Sequence, residues 1–123
     1  MLNKVILLFG LAEPEAKALS AAFAAVGLGT FSVPAERSAM PLWAILEGRR
    51  PISGGTALPE PIAVFHGLSD RELDRALAVL REGGAPIQLK AVTTPTNLQW
   101  TPAELWRNLA AERKALSKGK RKH

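Results

Sequence analysis

Residues 87–106 read IQLKAVTTPTNLQWTPAELW and contain a strand, a polar turn and a helix start in direct succession. From Ile87 to Val92, apolar side chains alternate with Gln88 and Lys90, which predicts a strand at the edge of a sheet. Pro95 has no N–H with which to continue a β-ladder, so the strand is expected to end before it. Thr101 to Glu104 forms a capping box with proline at the first helical position, which predicts the start of a helix.

The same alternation of strand and helix extends back to the start of the chain. Three further apolar runs predict strands, and caps and periodicity predict helices after Pro14, Pro41, Ser69 and Thr101, the last ending near Ser117. The strands are Val5 to Phe9, Thr30 to Val33 and Ile62 to Phe65. This order predicts an α/β fold, a small three-layer sandwich in which a four-stranded, mostly parallel sheet of order 2-1-3-4 has helices on both faces, as in a truncated flavodoxin. We expect all four strands to run the same way, with the first and last helices on one face.

Composition narrows the class of protein. A chain of 123 residues suits one domain, here 1–117, with a flexible loop at 48–61 rich in proline and glycine and a disordered basic tail at 118–123. There is no cysteine and there are only two histidines, so we expect no catalytic residue of the thiolate type, no metal and no cofactor. The apolar run near the start is too short to cross a bilayer or to form a secretory signal, which favours a cytoplasmic protein with no membrane partner.

The formal charge of +5 is concentrated at the C-terminus. Six basic residues and no acidic residue lie between positions 113 and 123, namely Arg113, Lys114, Lys118, Lys120, Arg121 and Lys122. The remainder carries ten basic and eleven acidic side chains, a formal charge of −1. Such a segment is usually a hydrated tail, and the alternative is a nucleic-acid-binding arm.

Residues 65–109 resemble a bacterial family known as domain of unknown function 3783. Its members share a phenylalanine-x-glycine step, a ser-asp-x-glu-leu helix start, and lys-ala-val, thr-pro-thr-asn and trp-thr sequences. Here these are Phe65, Gly67, Ser69, Asp70, Glu72, Leu73, Lys90, Ala91, Val92, Thr94, Pro95, Thr96, Asn97, Trp100 and Thr101. The resemblance supports the fold and the importance of this region, and it implies no catalytic residue.

Ligands of parallel α/β sheets bind where the strands end, so we expect a site at that edge. Gly10 and Leu11 would reach it together with the candidate ligand-binding residues His66, Gly67, Ser69, Lys90, Thr94, Thr96, Asn97 and Trp100. A small anion could bind the free amides at the helix starts of Ser69 and Thr101. Each candidate also has an ordinary structural role: helix capping, turn formation, loop packing for His66, protection of a sheet edge for Lys90, and packing on the last helix for Trp100. Trp43, Trp106 and Leu116 are assigned to the core.

Three functions remain open from the sequence. The first is a non-enzymatic binding or regulatory module whose strand-end edge contacts a protein or a small anionic ligand, and it is favoured because no nucleophile–base pair or metal-ligand set is evident. The second is nucleic-acid association through the basic tail. The third is an enzyme that uses His66 and Lys90 together with the turn at Thr94 to Asn97.

Overall fold

The computed structural model describes residues 3–50, 55–83 and 87–121, with side chains described as far as Leu116. Four strands and four α-helices alternate: β1 (Val5–Phe9), α1 (Glu13–Ala25), β2 (Thr30–Val33), α2 (Leu42–Leu46), β3 (Ile62–His66), α3 (Asp70–Glu82), β4 (Leu89–Val92) and α4 (Pro102–Arg121). Short 3₁₀ turns at Ala35–Ala39 and Asn97–Gln99 precede α2 and α4. None of the described helices is both long enough and apolar enough to span a membrane.

The sheet has the expected order, β2-β1-β3-β4, but it is mixed. β1 and β2 are parallel, and so are β3 and β4, whereas β1 and β3 are antiparallel, with Val5 opposite His66 and Phe9 opposite Ile62. The expectation that all four strands run the same way is therefore wrong. Helix α2 has five residues and rises about 7.5 Å, so it does not span the roughly 17 Å of a strand. The antiparallel pairing of β1 and β3 shows that the chain enters β3 at the edge where β2 ended.

The reversal of β3 also decides which helices share a face. α1 and α3 cover one face, around Phe23, Phe65 and Leu80, and α2 and α4 cover the other, around Leu7, Ile45 and Leu105. The expected grouping of the first helix with the last is wrong. A right-handed crossover fixes the face of the sheet on which the helix of a βαβ unit lies. Two units that extend outward from the centre of the sheet have their helices on opposite faces when all their strands are parallel. If one unit is turned by 180° about the normal of the sheet, its helix comes to the same face as the other.

The two βαβ units repeat each other. β1 and α1 recur 57 positions later as β3 and α3, with strands of equal length and two helices of 13 residues. Gly10 and Gly67 end the two strands with positive φ angles of 73°. A pseudo-twofold axis normal to the sheet thus relates the halves of the fold. β1 and β2 end at one edge, while β3 and β4 end at the opposite edge.

Three assignments to the core differ from the sequence expectation or qualify it. Trp43 is 36% exposed and carries the guanidinium of Arg49 5.7 Å from the centroid of its ring. Leu116 is 68% exposed, although its spacing from Leu109 predicts an inward position. Trp106 is half-buried and packs against the α2/α4 core. Leu116 is exposed because α4 is longer than the sheet it covers, so its last turns extend past the core.

Helix α4 runs to Arg121 and not to the expected end near Ser117. The expected basic tail therefore begins inside this helix, and Lys122 and His123 lie outside the described residues. Of the loop expected at 48–61, positions 51–54 also lie outside them. The loop continues into residues that make specific contacts, because the Ser38 hydroxyl donates to the Thr56 carbonyl at 2.6 Å and accepts from its N–H at 2.8 Å.

Candidate functional site

The edge where β3 and β4 end gathers most of the expected site residues. His66 and Gly67 follow the end of β3, Ser69 caps α3, and Thr94 and Asn97 follow β4. They come together because β3 and β4 are parallel neighbours. Gly10 and Leu11 lie at the opposite edge, because β1 runs the other way. The residues expected to form one site therefore lie at two opposite edges, and those that follow β3 and β4 remain together.

His66 is tied to the neighbouring strand end. Its Nδ1 lies 2.8 Å from the hydroxyl of Thr93. Burial lowers the pKa of His66 from its ordinary value of 6.5, which favours the neutral imidazole. This imidazole, held by a hydroxyl, joins the ends of β3 and β4.

Asn97 organises the turn after β4. Its side-chain oxygen accepts from the Thr94 N–H at 2.8 Å, and the Asn97 N–H donates to the Thr94 hydroxyl at 3.0 Å. The Asn97 carboxamide also donates to the carbonyl of Val92 at 3.0 Å. Asn97 is 7% exposed, whereas Thr94 and Thr96 are exposed. The buried amide thus bonds within the turn through both its oxygen and its nitrogen, and the threonines form the outer surface of the turn.

Ser69 and Glu72 form the expected capping box, with the Ser69 N–H donating to Glu72 at 2.9 Å and the Glu72 N–H donating to the Ser69 hydroxyl at 3.2 Å. Lys4 adds an ion pair to Glu72 at 3.0 Å. Hydrogen bonding from Ser69 and then from Lys4 lowers the pKa of Glu72 to about 2. These contacts attach the start of α3 to the chain entering β1.

The second expected capping box is also present, because Thr101 and Glu104 exchange hydrogen bonds at 3.1 and 3.2 Å. Trp100, just before it, is half-buried against the α2/α4 core, and its carbonyl accepts from the Leu42 N–H at 2.9 Å. This contact joins α2 to the start of α4. Trp100 therefore packs inward, away from the ends of β3 and β4, where His66, Ser69, Thr94 and Asn97 form what we call the polar edge.

Lys90 is separated from His66. It pairs with Ala63 in the register of β3, three residues before His66, which is about 10 Å along the strand. Alternation along β3 also places Ala63 on the α3 side of the sheet and His66 on the α4 side. The arrangement needed for an enzyme that uses His66 and Lys90 together is absent from this structure.

The outer side of β4 is the open edge of this half of the sheet. The Thr93 N–H donates inward to the Phe65 carbonyl at 3.0 Å. The backbone N–H and C=O groups of successive residues point in alternate directions along a strand. Those of Ala91 therefore also point inward, toward β3, and those of Lys90 and Val92 point outward. Asn97 covers the outward carbonyl of Val92. The N–H groups of Lys90 and Val92 and the carbonyl of Lys90 therefore face the open edge.

A groove of about 390 Å³ runs beside this edge, between β4 and α4. Leu89, Leu109 and Leu116 supply its apolar surface, and the lining is completed by Gln88, Lys90, Glu112 and Arg113. We call it the β4–α4 groove. The sequence pattern does not predict this groove, since Leu116 fits the helical stripe of the core. A difference in length could have indicated the groove, because the pattern of the last helix is much longer than the six-residue strand pattern from Ile87 to Val92.

The basic residues at the C-terminus are not a uniform arm. Arg113 makes a two-point ion pair with Glu60, at 3.0 and 2.6 Å, and Trp106 donates to the same carboxylate at 3.3 Å. Hydrogen bonding from Arg113 lowers the pKa of Glu60. Lys114 is exposed. The backbones of Lys118, Lys120 and Arg121 continue α4, and Lys122 is outside the described residues.

Two further cavities of the described residues lie beside β2. One of about 440 Å³ lies between β2 and α2, where Arg37 is 5.7 Å from the ring centroid of Phe31 and Glu47 pairs with Arg49 at 3.1 Å. The other, about 290 Å³, lies where β1 and β2 end. In the described residues, every buried side-chain nitrogen or oxygen is hydrogen-bonded, and no three acidic or histidine side chains gather as a metal site requires.

The comparisons with known proteins support the second unit as the recognisable part of the chain. The family model described as "Domain of unknown function (DUF3783)" matches residues 61–116, which confirms the resemblance inferred from the sequence. No curated protein and no solved structure matches the chain. The matched range begins just before β3 and ends at Leu116, so it contains the polar edge, β4 and the whole lining of the β4–α4 groove.

Proposed function

We propose that the DUF3783 domain of this chain, residues 61–116, is a non-enzymatic binding module that takes up an extended segment of a partner protein as a fifth strand beside β4. The observation that carries the proposal is the open edge at Lys90 and Val92, next to an apolar groove that lies within the matched domain. Addition of a strand to an exposed sheet edge is an established mode of peptide recognition.

The exposed backbone supplies the first part of the binding surface. The outward N–H of Lys90, its carbonyl and the N–H of Val92 are placed to pair with one extended segment. Asn97 occupies the Val92 carbonyl and so limits pairing at the end of β4. This fixes the available length of the edge and favours a single register for the added strand.

The groove supplies the second part. Side chains of an added strand would alternate between the two faces of the sheet. Those on the α4 side would meet Leu109 and Leu116, and those on the α3 side would lie beside Lys90 and Val92, which is 49% exposed. Burial of an apolar side chain stabilises by about 1.5–3 kcal/mol, so the leucines can add affinity to the backbone pairing.

The polar edge supports a structural role and not a catalytic one. His66 is bonded to Thr93, Ser69 to Glu72, and Asn97 to Thr94 and Val92. These contacts hold the ends of β3 and β4 and the starts of α3 and α4 in position.

The experiment titrates a capped ten-residue peptide of alternating valine and serine into ¹⁵N-labelled protein and follows amide shifts and hydrogen exchange. We expect the amides of Lys90 and Val92 to shift and to become protected, because they acquire acceptors. The variant Val92→Pro removes one outward N–H without removing a bond to β3, and it should lose binding.

The matched control is Ser32→Pro on the opposite edge strand. The Gly29 carbonyl accepts from the Ile6 N–H, so residue 32 points outward as residue 92 does. Ser32→Pro should keep the affinity of the wild type. Binding that leaves the Lys90 and Val92 amides unchanged, or that is weakened equally by both variants, overturns the proposal. The exchange measurement on wild-type protein decides the matter if Val92→Pro does not fold.

A further inference from the structure

We infer that the segment added beside β4 is acidic, with Asp or Glu alternating with apolar residues. This inference rests on the proposed function and adds the chemistry of the partner. It follows from the different character of the two sides that an added strand would meet.

The side of the sheet that faces α3 presents Lys90 to an added strand. Lys90 is exposed, and it lies in the middle of the open edge, between two residues whose backbones point inward. In the described residues its ammonium has neither a hydrogen bond nor an ion pair within 4.0 Å, so it is available to a carboxylate on the neighbouring strand. Opposite charges directly across a strand pair stabilise it, and like charges destabilise it.

The side that faces α4 presents the groove to an added strand. Leu89, Leu109 and Leu116 supply its apolar surface, and Glu112 and Arg113 lie beside them. Arg113 is already paired with Glu60. Apolar side chains of the added strand therefore fit this side, and a carboxylate here would meet the like charge of Glu112.

A segment paired with β4 would therefore meet the ammonium of Lys90 on the α3 side and the leucines of the groove on the α4 side. Its apolar residues would face Leu109 and Leu116, and its acidic residues would face Lys90. The same charges disfavour a second copy of this chain, because antiparallel pairing of two β4 strands would bring two Lys90 side chains to one face. Complementary charge selects the partner and raises the rate of its association.

The experiment compares three fluorescein-labelled, capped ten-residue peptides with valine at alternate positions and Glu, Gln or Lys between them. Fluorescence anisotropy is measured at 50 and 200 mM NaCl. The glutamate peptide should bind about fivefold more tightly than the glutamine peptide for each pair formed, and the lysine peptide should bind most weakly. The difference should shrink at the higher salt concentration.

The variant Lys90→Glu should reverse the order of the glutamate and lysine peptides. The control is Lys17→Glu, an exposed lysine on α1, which changes the net charge equally and should leave the order unchanged. Reversal by Lys90→Glu alone establishes a local contact, whereas equal effects of the two variants show that only net charge matters and overturn the inference.

The outcomes separate the two proposals. Equal affinity for the three peptides, lost in Val92→Pro, overturns the acidic partner and leaves strand addition standing. Absence of binding by all three peptides overturns both. A dimer in sedimentation experiments that disappears in Val92→Pro shows that a second copy occupies the edge and overturns the acidic partner. Binding of a single-stranded oligonucleotide that competes with the glutamate peptide and does not depend on residue 90 also overturns it.

Discussion

The side-chain amide of Asn97 donates to the carbonyl of Val92 at 3.0 Å, so a residue outside the sheet covers the last outward-facing carbonyl of β4. The same side chain accepts from the Thr94 N–H at 2.8 Å. Asn97 thus does at the end of the edge what a neighbouring strand would do, and it leaves the Lys90 and Val92 N–H groups open. This gives a physical reason for asparagine in the thr-pro-thr-asn sequence.

Replacement of Asn97 by alanine should destabilise the protein by about 2–4 kcal/mol, because a buried side chain with two hydrogen bonds is removed and the Thr94 N–H and Val92 carbonyl lose their partners. Urea denaturation measures the change. Thr96→Ala is the control, since Thr96 is exposed in the same turn, and it should change stability by less than about 0.5 kcal/mol. Equal effects of the two substitutions would contradict the role given to Asn97.

Gly67→Ala should be far more damaging than Gly27→Ala. Both glycines have positive φ, 73° and 80°, so each substitution carries a backbone cost of about 1–2 kcal/mol. A Cβ at Gly67 would also overlap the carbonyl of Asn3, whereas a Cβ at Gly27 meets nothing within 4 Å. The difference in unfolding free energy between the two variants measures this close approach. Similar losses would show that the entry of β1 can move aside.

Glu72 should make stability depend on pH in the acid range. Its folded pKa of about 2 lies below the ordinary 4.5, so its contribution is fully present above pH 4.5 and is lost as the pH falls toward 2. Glu72→Gln removes this dependence, and the stability difference between wild type and variant should shrink between pH 4.5 and pH 2. Chemical denaturation across that range measures it. Lys4→Met should raise the pKa of Glu72 and narrow the window, and a difference that stays constant with pH would refute the assignment.

Leu116 and Leu105 lie on the same helix, but substitution should destabilise the protein strongly at Leu105 and hardly at all at Leu116. Leu105→Ala removes a side chain that is 1% exposed and should cost about 2–5 kcal/mol. Leu116→Ser should leave the stability of the protein within about 0.5 kcal/mol, because the side chain is largely in solvent. The same variant should weaken peptide binding in the β4–α4 groove. A stability loss for Leu116→Ser comparable to that of Leu105→Ala would place Leu116 in the core after all.

The features that sequence patterns predicted correctly are those that depend on interactions between residues close together in the chain. The two capping boxes at Ser69 and Thr101 were predicted because the hydroxyl and carboxylate that make them are three residues apart in the chain. The inward position of Leu116 was predicted wrongly, because periodicity reports the face of a helix and not whether anything lies opposite it. The hypothesis that His66 and Lys90 act together fails for a similar reason. Strand patterns predict the two strands, but the register between β3 and β4 decides on which face of the sheet each side chain lies.

The sequence by itself determined the strands and helices and the polar turn at Thr94 to Asn97, because periodicity, caps and turn residues act within a few positions of one another. It also indicated the order of the sheet, because the two most apolar strands, β1 and β3, are the ones that must be covered on both sides. Only the tertiary structure decided that β3 runs against β1 and that α1 and α3 share a face. The handedness of a βαβ unit fixes each half internally. No such rule governs the connection through α2, whose packing against the sheet sets how the halves meet and thereby which polar groups share an edge.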